Sequence, residues 1–61
     1  MTEYRVMVKG RLSKKFQCYG HHSDPVCAEN GAMFFARQSW AVKVKIIAID
    51  DNGVKNELIY K

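Results

Sequence analysis

The chain has 61 residues, and its ten Lys or Arg against six Asp or Glu give a formal net charge of +4 at neutral pH. A chain of this length holds one hydrophobic core, so we expect residues 1–61 to form a single small domain without room for a catalytic cleft. The excess positive charge favours anionic partners, either nucleic acid or an acidic protein surface. No apolar run approaches the roughly 18 residues of a membrane span, and the first residues lack the features of a signal peptide. We therefore expect a cytoplasmic protein without a membrane partner.

The first segment alternates between apolar and mostly basic residues, which is typical of a strand with one buried face. The inward phase holds Tyr4, Val6, Val8 and Leu12, and the outward phase holds Arg5, Met7, Lys9 and Arg11. A polar connector at 13–15 separates this strand from a second extended segment at 16–20. In that segment Cys18 falls in the inward phase and Tyr19 in the outward one, and the two segments together predict a β-hairpin.

Residues 23–25, Ser-Asp-Pro, predict the start of a helix at about Pro25. A Ser or Asp oxygen can accept a free N–H of the first turn, and Pro at the first helical position has no N–H to lose. Apolar residues then recur at helical spacing. They are Ala28, Ala32, Phe35 and Ala36, with Met33, Phe34 and Trp40 at the margins. The small side chains let the helix lie close to a sheet, and we expect it to end near 38–40.

Residues 42–49 are strongly β-prone, with Val42, Val44 and Ile46 on one face and the lysines on the other. The run Asp50-Asp51-Asn52-Gly53 predicts a type I′ turn, because Asn-Gly readily adopts positive φ. A last strand over 54–60 should fold back on the third. The sequence thus predicts an α+β fold of order ββαββ, an antiparallel sheet with one helix packed on one face.

If the helix covers the apolar face, the opposite face carries a partner-binding surface that is mainly basic. Its predicted members are Arg5, Met7, Lys9, Arg11, Tyr19, Lys43 and Lys45. Charged residues at a rim mostly set the association rate, whereas tight affinity needs an apolar centre such as Met7 or Tyr19. The alternative interpretation is a solvated face whose lysines discourage edge-to-edge pairing of strands.

Four potential metal ligands, Cys18, His21, His22 and Cys27, lie within ten residues. Zinc does bind two thiolates and two imidazoles, but a single short strand-to-helix connection would be cramped for all four. We therefore expect reduced thiols, partly exposed histidines, and neither metal nor cofactor. Glycine-rich phosphate loops are absent, and neighbouring Cys, His, Ser and Asp letters do not make a catalytic triad. We expect no enzyme activity.

The strand at 4–10, the Ser-Asp-Pro helix start and the Val-Lys-Val-Lys strand together resemble a recurring small ββαβ plan. Three groups share it: phage-encoded inhibitors of host machinery, including a coliphage inhibitor of bacterial RNA polymerase; certain tiny anti-CRISPR proteins; and a small archaeal and eukaryotic family of large-subunit ribosomal proteins. The last hairpin of the anti-CRISPR proteins is similar to residues 47–53 and 58–61 of this chain. The resemblance implies that Lys43 and Lys45, on the strand after the helix, engage an acidic surface. This chain departs from the polymerase inhibitors in lacking their acidic helix start and in having an extra terminal hairpin.

We therefore expect a phage-type binding protein that inhibits or modulates a host nucleic-acid-handling complex through a basic sheet face. It would act in the host cytoplasm as a monomer or homodimer, on an acidic or nucleic-acid-binding protein surface. The alternative is an RNA- or DNA-binding accessory protein that contacts phosphates without base specificity. An isolated zinc-binding module is a third hypothesis.

Overall fold

The computed structural model describes all residues from Met1 to Lys61. In chain order its elements are β1 (Glu3–Gly10), β2 (Gln17–His22), α1 (Pro25–Ala36), β3 (Ala41–Ile49) and β4 (Lys55–Ile59). The strands form one antiparallel sheet in the order β2-β1-β3-β4, and α1 packs on one face of it. The predicted α+β fold of order ββαββ is confirmed.

The core lies between α1 and the two central strands. Seven residues are buried: Val6, Val8, Ala28, Ala32, Ala41, Val44 and Ile46. Ala28 and Ala32 have no exposed surface, because their methyl groups let the helix backbone lie close to the branched residues of β1 and β3. Burial of each Val or Ile side chain contributes roughly 1.5–3 kcal/mol. The helix packs across β1, β2 and β3 but does not reach β4.

The helix begins at Pro25, as predicted, and ends at Ala36, before the predicted 38–40. At its start the Asp24 carboxylate accepts a hydrogen bond from the Val26 N–H at 2.9 Å. At its end the Arg37 N–H bonds to the Phe34 carbonyl at 3.2 Å and the Gln38 N–H bonds to the Phe35 carbonyl at 3.0 Å, so the last turn tightens. The chain then turns at 37–40 and places Trp40 beside the end of β1, where its carbonyl accepts the Arg11 N–H at 3.2 Å.

Two bulges shift the side-chain phase that simple alternation predicts. Val6 pairs with Gly20 but Met7 pairs with Cys18, so Tyr19 is an extra residue in β2. Lys9 pairs with Lys43 but Gly10 pairs with Ala41, which makes Val42 an extra residue in β3. Because a bulge reverses the alternation beyond it, the inward prediction for Cys18 and for Val42 is wrong. Both are exposed, and Ala41 occupies the buried position expected for Val42.

The turn between β3 and β4 lies where the sequence predicts it but has a different geometry. Only Gly53 has positive φ, at 80°, whereas a type I′ turn needs positive φ at both central residues. The Gly53 N–H bonds to the Asp50 carbonyl at 3.0 Å, and the Asp50 N–H bonds to the Val54 carbonyl at 3.1 Å. This is the three-residue hairpin loop in which a type I turn is followed by a left-handed glycine.

Candidate functional site

The face of the sheet opposite α1 carries most of the residues predicted to bind a partner. Strand register places Arg5, Met7 and Lys9 of β1 on this face together with Lys43 and Lys45 of β3, and no element covers them. We call it the open face. Two predicted members lie elsewhere, since Arg11 falls in the turn after β1 and Tyr19 lies on the helix side of the sheet.

Ion pairs neutralise part of the open face. The Arg5 guanidinium donates to the Glu3 carboxylate at 3.0 Å, and the His21 ring lies 2.7 Å from the same carboxylate. These hydrogen bonds, from Arg5 first and then His21, hold the pKa of Glu3 below its usual value. Lys45 donates to Glu57 at 2.8 Å and lies 4.3 Å from the Phe16 ring centroid. The open face is therefore a surface of mixed charge and not the mainly basic face that the sequence predicts.

Most of the unpaired positive charge lies at one end of the sheet, which we call the basic end. Strand order and register bring together seven of the ten cations there: Lys9, Arg11, Lys14, Lys15, Arg37, Lys43 and Lys61. None of the seven forms an ion pair with an acidic side chain. The acidic residues lie elsewhere, at the opposite end (Glu3, Asp24, Asp50 and Asp51) or in between (Glu29 and Glu57). The domain is therefore electrically polarised along its strands.

Lys9 and Lys43 place two like charges opposite each other at the basic end. They are direct cross-strand partners in the β1–β3 ladder, on the uncovered side of the sheet. Like charges in this arrangement destabilise a sheet by a few tenths to about 1 kcal/mol. With no carboxylate paired to either ammonium, an anion bound between them would relieve the repulsion.

On the helix side of the basic end, four aromatic rings form a partly exposed cluster. Tyr19 lies 5.1 Å from Phe35 and 5.8 Å from Trp40, and Phe34 and Phe35 are 5.4 Å apart, all between ring centroids. Such distances are typical of favourable aromatic pairs. Yet Tyr19, Phe34 and Trp40 remain 47%, 59% and 40% exposed, so the cluster presents ring surface to solvent. Phe34 and Trp40, which the helical spacing places at the margins of the apolar stripe, are thus outside the buried core.

An open cleft of about 550 Å³ lies between this cluster and the β1–β2 connection, a volume within the range of ligand sites. We call it the aromatic cleft. Its walls include Val8, Arg11, Leu12, Gln17, Tyr19 and Trp40. Leu12 is fully exposed and lies in the turn, not inside the strand as predicted. One feature of the sequence indicates the cleft. Leu12 is an apolar residue in a basic turn, where its side chain has no core to pack against.

The four cysteine and histidine residues considered as zinc ligands do not converge. Cys18 and His21 lie on the open face, where they pair with Met7 and Arg5. The His22 ring lies on the helix side near Gly20 and Gly31, and the Cys27 thiol lies near the Asp24 carboxylate. No group of three or more His, Cys, Asp or Glu side chains in the chain is arranged to hold a metal ion.

No helix in the structure combines the length and apolar character needed to cross a lipid bilayer. No protein-family model, curated protein or solved structure matches the chain. The resemblance to phage inhibitors, anti-CRISPR proteins and ribosomal proteins therefore stays a prediction from the sequence pattern.

Proposed function

We propose that the chain is a binding module that holds nucleic acid by its phosphate backbone at the basic end. The observation that carries the proposal is the segregation of charge, with seven cations at one end and no acidic side chain paired to them. Folded proteins usually intersperse both signs on a soluble surface. A one-signed patch attracts polyanions over distances of about 10 Å at moderate salt.

The Lys9–Lys43 pair supports the same proposal, because its repulsion is a cost to folding that a bound phosphate would offset. Removal of these charges is therefore expected to affect binding and stability in opposite directions. Lys9→Gln with Lys43→Gln should weaken binding while leaving the melting temperature equal to or above that of the parent protein. This separates loss of the site from loss of the fold.

The test is fluorescence anisotropy of a labelled oligonucleotide titrated with the protein at several salt concentrations. Each phosphate contact on a single strand contributes about −0.7 to the slope of log affinity against log salt. The Lys9→Gln/Lys43→Gln variant should therefore lose about 1.4 from that slope. Lys55→Gln is the matched control, because Lys55 is exposed and unpaired but lies at the opposite end, and its slope should not change. Absence of binding at low salt, or an equal loss in both variants, would refute the proposal.

A second candidate function is the phage-type inhibitor predicted from the sequence, docking on a protein of a host complex through the open face. The observation that favours it is apolar surface between the ion pairs. Met7 is half-buried on this face, and Ile59, which pairs with Lys45, is 70% exposed. Apolar centres with a charged rim are the usual make-up of protein interfaces.

The second candidate is tested by pull-down from nuclease-treated bacterial lysate, with Lys43→Glu/Lys45→Glu and Ile59→Lys variants as separate baits. A specific protein that survives nuclease and is lost with both baits would support docking through the open face. Recovery that disappears with nuclease would instead favour nucleic acid.

A further inference from the structure

The aromatic cleft carries an inference about which nucleic acid the basic end binds, and it rests on the proposed function. We infer that the cleft holds an unstacked base of a single strand, against Tyr19 and Trp40, while neighbouring phosphates lie along Arg11 and the basic end. The module would thus prefer single-stranded over double-stranded nucleic acid.

The rings of Tyr19 and Trp40 are accessible to a ligand. Tyr19 and Trp40 keep 47% and 40% of their surface exposed, although 61 residues offer little apolar surface from which to build a core. The Tyr19 bulge in β2 turns this ring from the open face to the helix side, where it meets Trp40 with an angle of 51° between the ring planes. Tilted neighbouring rings leave ring faces to which a third planar group can bind.

The aromatic cleft also has positive charge that complements the phosphates of a nucleic acid. Arg11 lines the cleft, and its backbone N–H is fixed to the Trp40 carbonyl at 3.2 Å, so a cation is tied to the aromatic wall. Lys14 and Lys15 follow in the same connection. A ligand that satisfies both features has a planar apolar group attached to an anionic chain. Nucleotides of a single strand have this composition, whereas in a duplex the base faces are already stacked.

Hydrogen bonds within the β1–β2 connection fix one part of the cleft wall. The β1–β2 connection closes with a backbone hydrogen bond from Ser13 to Gly10 at 3.2 Å. The Ser13 hydroxyl also donates to the Lys15 carbonyl at 2.7 Å. The part of the cleft wall formed by the β1–β2 connection is thus held before a ligand arrives, which lowers the ordering cost of binding.

The experiment compares a short oligothymidylate with an abasic oligomer of the same length and phosphate count. Trp40 is the only tryptophan in the chain, so its fluorescence reports on the cleft without a label. We expect oligothymidylate to quench Trp40 and to bind about 5- to 140-fold more tightly than the abasic oligomer, the range that corresponds to one stacked base. The abasic oligomer and a duplex should bind through the basic end with little change in Trp40 emission.

Variants supply a second measurement that does not depend on the Trp40 signal. Tyr19→Leu and, with a labelled oligonucleotide, Trp40→Leu should reduce the preference for oligothymidylate over the abasic oligomer. Phe34→Leu is the matched control, because Phe34 is an exposed aromatic residue of the same cluster that does not line the cleft. Circular dichroism melting confirms that each variant is folded.

The outcomes separate the two proposals. Equal affinity for both oligomers, with equal or no Trp40 response, would overturn base binding and leave phosphate binding at the basic end intact. Quenching of Trp40 by polyglutamate to the same extent as by oligothymidylate would also overturn it, since the cleft would then accept any polyanion. If no oligomer binds at low salt, the proposed function itself fails.

Discussion

Gly31 lies in the middle of α1, and its replacement by Ala is expected to stabilise the protein. Gly costs about 1 kcal/mol relative to Ala in a helix interior, and Gly31 does not have positive φ, so its backbone does not need glycine. A Cβ atom at this position would lie 3.7 Å from Val6 Cγ2 and 3.9 Å from His22 Nε2. These are ordinary contact distances, so the methyl group fits between helix and sheet without displacing either.

The expected gain for Gly31→Ala is about 0.5–1 kcal/mol, which corresponds to a rise in melting temperature of roughly 2–8 °C for a domain of this size. Thermal and urea unfolding followed by far-UV circular dichroism measure it. Gly53→Ala is the control of opposite sign, because Gly53 has a φ of 80° that a side chain disfavours, and it should lose stability by about 1 kcal/mol. A lower melting temperature for Gly31→Ala would refute the reasoning, since the helix would then have to lie closer to β1 than the structure places it.

Three further predictions concern pH and the last turn. Burial first, and the nearby Glu29 second, raise the pKa of Tyr60 above its ordinary 10.0. Its contribution to stability is therefore present below pH 10.0 and lost as pH rises through the higher native pKa, and an ultraviolet absorbance titration should lose its highest transition in Tyr60→Phe. The lowered pKa of Glu3 works in the opposite sense. Its stabilisation is present above the ordinary value of 4.5 and lost as pH falls through the native pKa, so Glu3→Gln should melt with a weaker dependence on acid pH than the parent. The Asp50 carboxylate accepts the N–H groups of Asn52 and Val54, each at 2.9 Å, so Asp50→Ala should lose about 1 kcal/mol in urea unfolding, and Asp50→Asn should recover part of it.

Local patterns in the sequence predict the order of the elements and several of their boundaries. The helix starts at Pro25 because Asp24 and Pro25 satisfy the chemistry of a first turn within three residues, independent of the rest of the fold. The alternation of Val6 and Val8 with charged residues likewise identifies the buried face of β1. These features depend on neighbours along the chain, so the sequence alone predicts them.

The residues predicted on β1 and β3 do share one face of the sheet, but that face also carries carboxylates, and Arg11 and Tyr19 lie elsewhere. Arg5 and Lys45 lie on the open face as expected, but each meets a carboxylate, and Glu57 comes from a strand twelve residues further along. Alternation cannot reveal such a partner, because cross-strand neighbours depend on which strands pair and in which register. The same limit explains why the sequence does not reveal that Lys9 and Lys43 are cross-strand partners.

The sequence by itself determined a small basic chain of order ββαββ, because composition, helix capping and turn residues act locally. Only the tertiary structure decided where the exposed rings and the unpaired cations lie. The bulge at Tyr19 reversed the phase of β2, which moved an aromatic ring from the open face to a cleft beside Trp40. Antiparallel pairing of β1 with β3 then collected cations from distant segments at one end. A bulge adds one residue without a distinct local signature, and its effect appears only when the strand is set against its partner.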